Sequence, residues 1–149
     1  MTSLSDTLTA PGKKDAVVDD CLALIDAEVA DKGGISGLAL KAGYSAVKGI
    51  KPGFIRNVVT DLLPEFADAL DPFYKEALEQ KKKPSEHFVQ NGPRVADALL
   101  SITDGKAKNA KSGVVRSTYD KLRGTAKKNV EAAIPRLGKL VEKHAPAQT

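Results

Sequence analysis

Asp15, Asp19 and Asp20 carry the spacing at which one helix brings carboxylates to a common side, the arrangement a hard divalent cation needs. Acids in an opening turn also complement the positive end of the helix dipole, and that plainer role is the one expected here. Cys21 follows directly, yet it falls on an apolar stripe between Val18 and Leu24, with no histidine near it in sequence. A reactive thiol needs an accessible, electropositive setting, so Cys21 reads as a buried, inert side chain. His87 lies in a polar stretch and His144 in an expected last helical turn, where its charge suits the dipole; both read as surface residues. No P-loop, G-x-G-x-x-G, H-E-x-x-H or G-x-S-x-G pattern occurs. The chain is therefore expected to be non-catalytic, with no catalytic, metal or cofactor residue assigned.

Two hexapeptides match: "YSAVKG" from Tyr44 to Gly49 and "YDKLRG" from Tyr119 to Gly124. A functional hydroxyl is one reading, but each tyrosine follows an apolar helical stripe, so ring inward and hydroxyl at the rim is the expectation. Lys48-Gly49 and Arg123-Gly124 read as helix ends, a cation near the last carbonyls and a glycine for the exit.

Charge supplies the remaining chemistry. Residues 1–105 hold 12 Lys and Arg against 16 Asp and Glu, whereas residues 106–149 hold 11 against 3, so the net +4 arises wholly from the last third. Arg116, Lys121, Arg123, Lys127, Lys128, Arg136 and Lys139 are the candidate residues for an anion or a partner. Such a face gathers phosphates of nucleic acid or anionic lipid, though aromatics for base stacking are missing. The acidic first part is an alternative partner, within one chain or between subunits.

The elements that must position these residues read as helices. Lys13 to Lys32 has apolar residues at steps of three and four, and Gly33-Gly34 ends it. A second helix should start at Ser36 as N-cap and run to about Ile50, with Ala39, Ala42, Gly43 and Ala46 leaving room for close packing. "KPGFIRNVVTDLLPEFADAL" is apolar on more than one face and reads as a central helix. Pro64 should kink or restart it, and Asp71-Pro72 should begin anew as N-cap and first turn. Residues 71–91 then form the connector between the halves with a short extra helix, and its polar part "KKKPSEHFVQNGP" is the natural hinge. Asn91 and Pro93 open another helix that Gly105 stops; a basic loop follows. From Val115 a period of about 3.6 gives one long helix, or two broken near Pro135.

A shift of 75 places Leu24 on Leu99, Tyr44 on Tyr119 and Gly49 on Gly124; a shift of 71 places Val59 on Val130, Pro64 on Pro135 and Ala67 on Gly138. The fold class expected is all-α: one domain of about six helices in two pseudo-symmetric three-helix halves, 13–70 and 92–143. Composition agrees, since 42% of residues are hydrophobic but only 5% aromatic, which suits aliphatic helix packing better than sheets. One cysteine excludes an internal disulfide and fits a reducing cytoplasm. No secretory signal or membrane span is read in the chain.

The segments "AEVADKGGISGLALKAGYSAVKGIKPGF", "VADALLSITDGKAK" and "YDKLRGTAKKNVEAAIPRLGKLVEKH" resemble a group of small uncharacterised actinobacterial proteins, over nearly the whole chain. The resemblance implies a bacterial cytoplasmic helical protein and transfers no catalytic residue. The function expected is a helical interaction or scaffold protein with a protein partner, or self-association through the helix at 36–50. A peripheral binder of nucleic acid or membrane lipid comes second, and a carrier of an apolar ligand between the halves third.

Overall fold

The last helix organises the rest of the molecule. In the computed structural model, which describes residues 4–145 without the side chains of Ile35 and Ser36, α7 runs unbroken from Gly113 to His144. At 1.5 Å per residue its 32 residues reach about 48 Å. Its start is set by Ser112, whose Oγ accepts the Val115 N–H at 3.4 Å. Against α7 pack α2 (Lys14–Asp31), α3 (Gly34–Lys48), α5 (Pro84–Gln90) and α6 (Gly92–Lys108). The remaining long helix, α4 (Phe54–Glu79), packs on α2, α5 and α6 and carries the short α1 (Leu4–Leu8). The described residues thus form one all-α domain around a single core that includes Leu8, Val18, Leu70, Phe88, Val95 and Val141.

Neither internal proline of α4 ends it. A proline inside a helix costs about 3 kcal/mol. Burying a large aliphatic or aromatic side chain contributes about 1.5–3 kcal/mol, and α4 buries Leu63, Ala67, Leu70, Phe73, Tyr74 and Ala77 along one stripe spanning Pro72 and continuing past Pro64. The stripe outweighs the prolines, so the expected break at Pro64 and restart at Asp71 do not occur. Asp71 instead accepts the Leu4 N–H at 2.9 Å and pairs with Lys75 at 2.9 Å. Pro135 is carried through α7 in the same way, between buried Ile134 and Gly138.

Within the stretch 71–91, residues 71–79 finish α4 and 84–90 form α5. Phe88 is fully buried, and α5 comes so near α7 that a Cβ on Gly138 would stand 2.5 Å from the Ser85 Cα. The Ser85 N–H also donates to Glu142 Oε2 at 2.9 Å. His87 and His144, expected at the surface, are only 3% and 5% exposed because these packed ends enclose them.

The aligned stretches fall on three helices in the first half, α2, α3 and α4, but on two in the second, α6 and α7. The described residues form seven helices, in line with the expected six or so and the short extra one. The shift drops from 75 to 71 where the first half makes its turn, with Gly53 in the left-handed region at φ 75. The second half lacks those residues and stays helical. Lys48-Gly49 is a helix end as expected; Arg123-Gly124 lies inside α7, and Gly105 lies inside α6. Helix α3 begins at Gly34, with Gly33 in the N-cap place, ahead of Ser36.

Candidate functional site: a cavity between the helices

The two-faced apolarity of α4 has a visible consequence. One face enters the core, and Val59, Leu63, Phe66 and Leu70 line a cavity of about 350 Å³. Cys21, Leu24, Ile25 and Val29 from α2 and Leu40 from α3 form further walls; Leu99 and Leu100 of α6 and Val130, Ala133 and Leu137 of α7 complete the lining. Apart from Thr103 and Asn129, the polar side chains in it are Glu28 and Lys32. They belong to a closed charge cluster: Arg136 pairs with Glu28 and, at 2.6 Å, with Asp31, while Lys32 Nζ is 4.0 Å from Glu28. An aliphatic cavity of this size can hold an apolar molecule and offers almost nothing with which to bind a polar one.

Cys21 sits in this lining as a half-buried thiol. Burial, with the neighbouring Asp20 carboxylate adding to it, pushes its pKa up to about 11. It is thus protonated at neutral pH, which suits a wall rather than a nucleophile. The three aspartates before it do not converge: Asp19 pairs with Arg56, and Asp20 bonds Lys143 at 2.9 Å and His144 Nε2 at 2.5 Å. The Lys143 and His144 bonds hold the Asp20 carboxyl below its ordinary pKa. Among the described residues no group of His, Cys, Asp and Glu is arranged to hold a metal.

Four of the seven basic candidates are occupied within the chain. Arg123 reaches Asp104 at 2.8 Å, Lys127 reaches Asp97 at 3.1 Å, Arg136 joins the α2 cluster, and Arg116 donates to the Ala110 carbonyl. The Asp31 and Glu28 bonds raise the Arg136 pKa, and the Asp104 bond raises that of Arg123. Lys121, Lys128 and Lys139 are exposed, without an ion-pair partner among the described residues. Their spacing of 7 and 11 keeps them on one side of α7. At 1.5 Å per residue they stand about 10 and 16 Å apart, too dispersed to grip one phosphate. The charge asymmetry of the sequence is thus answered in part inside the molecule, Arg123, Lys127, Arg136 and Lys143 of α7 meeting α2 and α6 acids.

A family model described as a family of unknown function (DUF6918) matches residues 4–145. The chain belongs to that family. No curated protein and no solved structure matches it.

In this DUF6918 chain the twin tyrosines serve as struts. Tyr44 donates to Asp26 Oδ1 at 2.5 Å, tying α3 to α2, with Lys48 Nζ 5.0 Å from the ring centre. Tyr119 donates to Asp104 Oδ1 and stands 2.7 Å from Thr103 Oγ1, tying α7 to α6. Burial first, then the aspartate, raises the pKa of each tyrosine. The rings are half-buried, so core-edge packing holds; what the sequence did not reveal is the aspartate in the preceding helix. Buried His87 faces Glu76 Oε1 at 3.1 Å. Neither histidine lines the cavity.

Proposed function

We propose that this protein is a non-catalytic carrier of a small apolar molecule held in the cavity between α2, α4, α6 and α7. The observation that carries this reading is the half-open cleft of about 350 Å³ between the helices, with its almost wholly apolar lining. Filling such an apolar cleft removes its walls from water and recovers the dispersion contacts they lack. The absence of a thiolate or a free acid–base pair in the lining supports binding rather than turnover. The resemblance to actinobacterial chains and the single cysteine support a bacterial cytoplasmic setting. No helix among the described residues is long and apolar enough to cross a membrane.

Protein purified without detergent and extracted with organic solvent should release a stoichiometric apolar compound on mass analysis. An empty extract, together with no uptake of an apolar dye, removes the reading.

A second reading, self-association, is supported by the outer side of α3, where Leu38 is 68% exposed beside exposed Ala39, Ala42 and Ala46. The opposite side of α3 is used internally, since a Cβ on Gly43 would stand 2.8 Å from Thr118 Cγ2. Sedimentation showing only monomer at high concentration would remove this second reading.

A further inference from the structure

A second hollow, a groove of about 570 Å³, lies between α4, α6 and the start of α7. Its floor is apolar, formed by Phe54, Val58, Leu62 and Val115. Its lining also holds Lys51, Lys106 and Lys111 against one acid, Asp61. Lys106 reaches out to Glu65 at 3.2 Å; Lys51 and Lys111 are exposed, with no ion-pair partner among the described residues. Thr103 belongs to both linings, and along α4 the groove residues Val58 and Leu62 directly precede the cavity residues Val59 and Leu63. The two hollows are therefore adjacent and meet at Thr103. They differ in charge: the one cation lining the central cavity, Lys32, stands against Glu28, whereas the groove has cations to spare.

We propose that the ligand is a single-chain aliphatic carboxylate, its head held in the groove by Lys51 and Lys111 and its chain passing Thr103 into the central cavity. This rests on the carrier reading and names the chemical class of what is carried. The cavity sets the size of the chain: at about 30 Å³ for a water-sized group, 350 Å³ takes roughly a dozen such groups. The groove sets the head, because surplus ammonium groups beside an apolar floor favour an anion that carries its own apolar chain.

The test is displacement of bound phenylnaphthylamine at pH 8 and low salt by dodecanoate, dodecanol and acetate, on the wild-type chain and on Lys51→Gln/Lys111→Gln. Dodecanoate should displace the dye about tenfold more tightly than dodecanol, from one charge-assisted contact, and acetate should not displace it. In the double variant, whose altered residues are exposed and whose fold is checked by circular dichroism, that preference should vanish while dodecanol is unaffected. Equal displacement by acid and alcohol overturns the proposal and leaves the carrier reading standing. A preference that survives in the double variant overturns the groove as the head site, and displacement by acetate overturns the amphiphile. Failure of the dye itself to bind overturns both.

Discussion

The hydroxyl oxygens of Thr103 and Tyr119 stand 2.7 Å apart, where the central cavity and the basic groove meet. Tyr119 gives its one proton to Asp104 and so accepts from Thr103; Arg123 closes the set with Nε 2.8 Å from Asp104. Removing the tyrosine oxygen leaves Asp104 short of one bond, while the Thr103 hydroxyl keeps the Leu100 carbonyl as acceptor at 3.1 Å. Tyr119→Phe should lower unfolding stability by about 1–2 kcal/mol, read as a fall in the urea midpoint with an unchanged slope. An unchanged midpoint would mean that the set contributes nothing.

Two glycines of α7 predict opposite signs. A Cβ on Gly124 meets no atom within 4 Å, and the residue lies inside the helix. Gly124→Ala should therefore stabilise by about 0.5–1 kcal/mol. A Cβ on Gly138 would press on the Ser85 backbone, so Gly138→Ala should cost about 1–3 kcal/mol by forcing α5 away. Thermal unfolding of the two variants side by side checks both; destabilisation by Gly124→Ala would restore the helix end that the "RG" pair suggests.

Those glycines also mark how far the sequence can be read. The all-α class was readable because the apolar periodicity is a local property of each segment. Helix limits were not: Pro64, Pro72 and Gly105 are local breakers overridden by burial that only the assembled core supplies. The seclusion of His87 was hidden by its polar neighbours, with Phe88 beside it as the one signal of an anchor. The basic residues of α7 were found, but not their partners, since Arg136 and Asp31 are separated by 105 positions. The cavity had one trace in the sequence, the surplus of apolar faces on 54–70, which a single core contact does not use up.

Stability should hold across a plateau and fall at both ends of the pH range. Asp20, bonded first by Lys143, and Asp104, bonded first by Tyr119, have folded pKa values below the usual 3.8. Their contribution is present above that value and is lost as pH falls through the folded values. Cys21 is shifted the other way, from 9.0 to about 11, so its contribution is present below pH 9 and lost between 9 and 11. Tyr44, Tyr74 and Tyr119, raised by burial, extend the alkaline loss above 10. Urea midpoints against pH should show Cys21→Ala flattening the curve between 9 and 11; an unaltered slope there would contradict the buried-thiol assignment.

Filling the cavity distinguishes a hollow from a packed core. Ala133 lies on its wall, and Ala133→Leu inserts carbon atoms where the structure has space. The variant should be as stable as the wild type or gain about 1 kcal/mol, whereas overpacking a full core costs about 1–3 kcal/mol. Differential scanning calorimetry reads the sign.

The most direct test of the carrier account is fluorescence titration of phenylnaphthylamine into the wild-type chain and into Ala133→Phe, whose larger ring occupies the hollow. A blue-shifted, saturable signal with one dye per chain is expected in the wild type, and its loss in a variant that stays folded. An equal signal in both proteins, or none in the wild type, would contradict the carrier account.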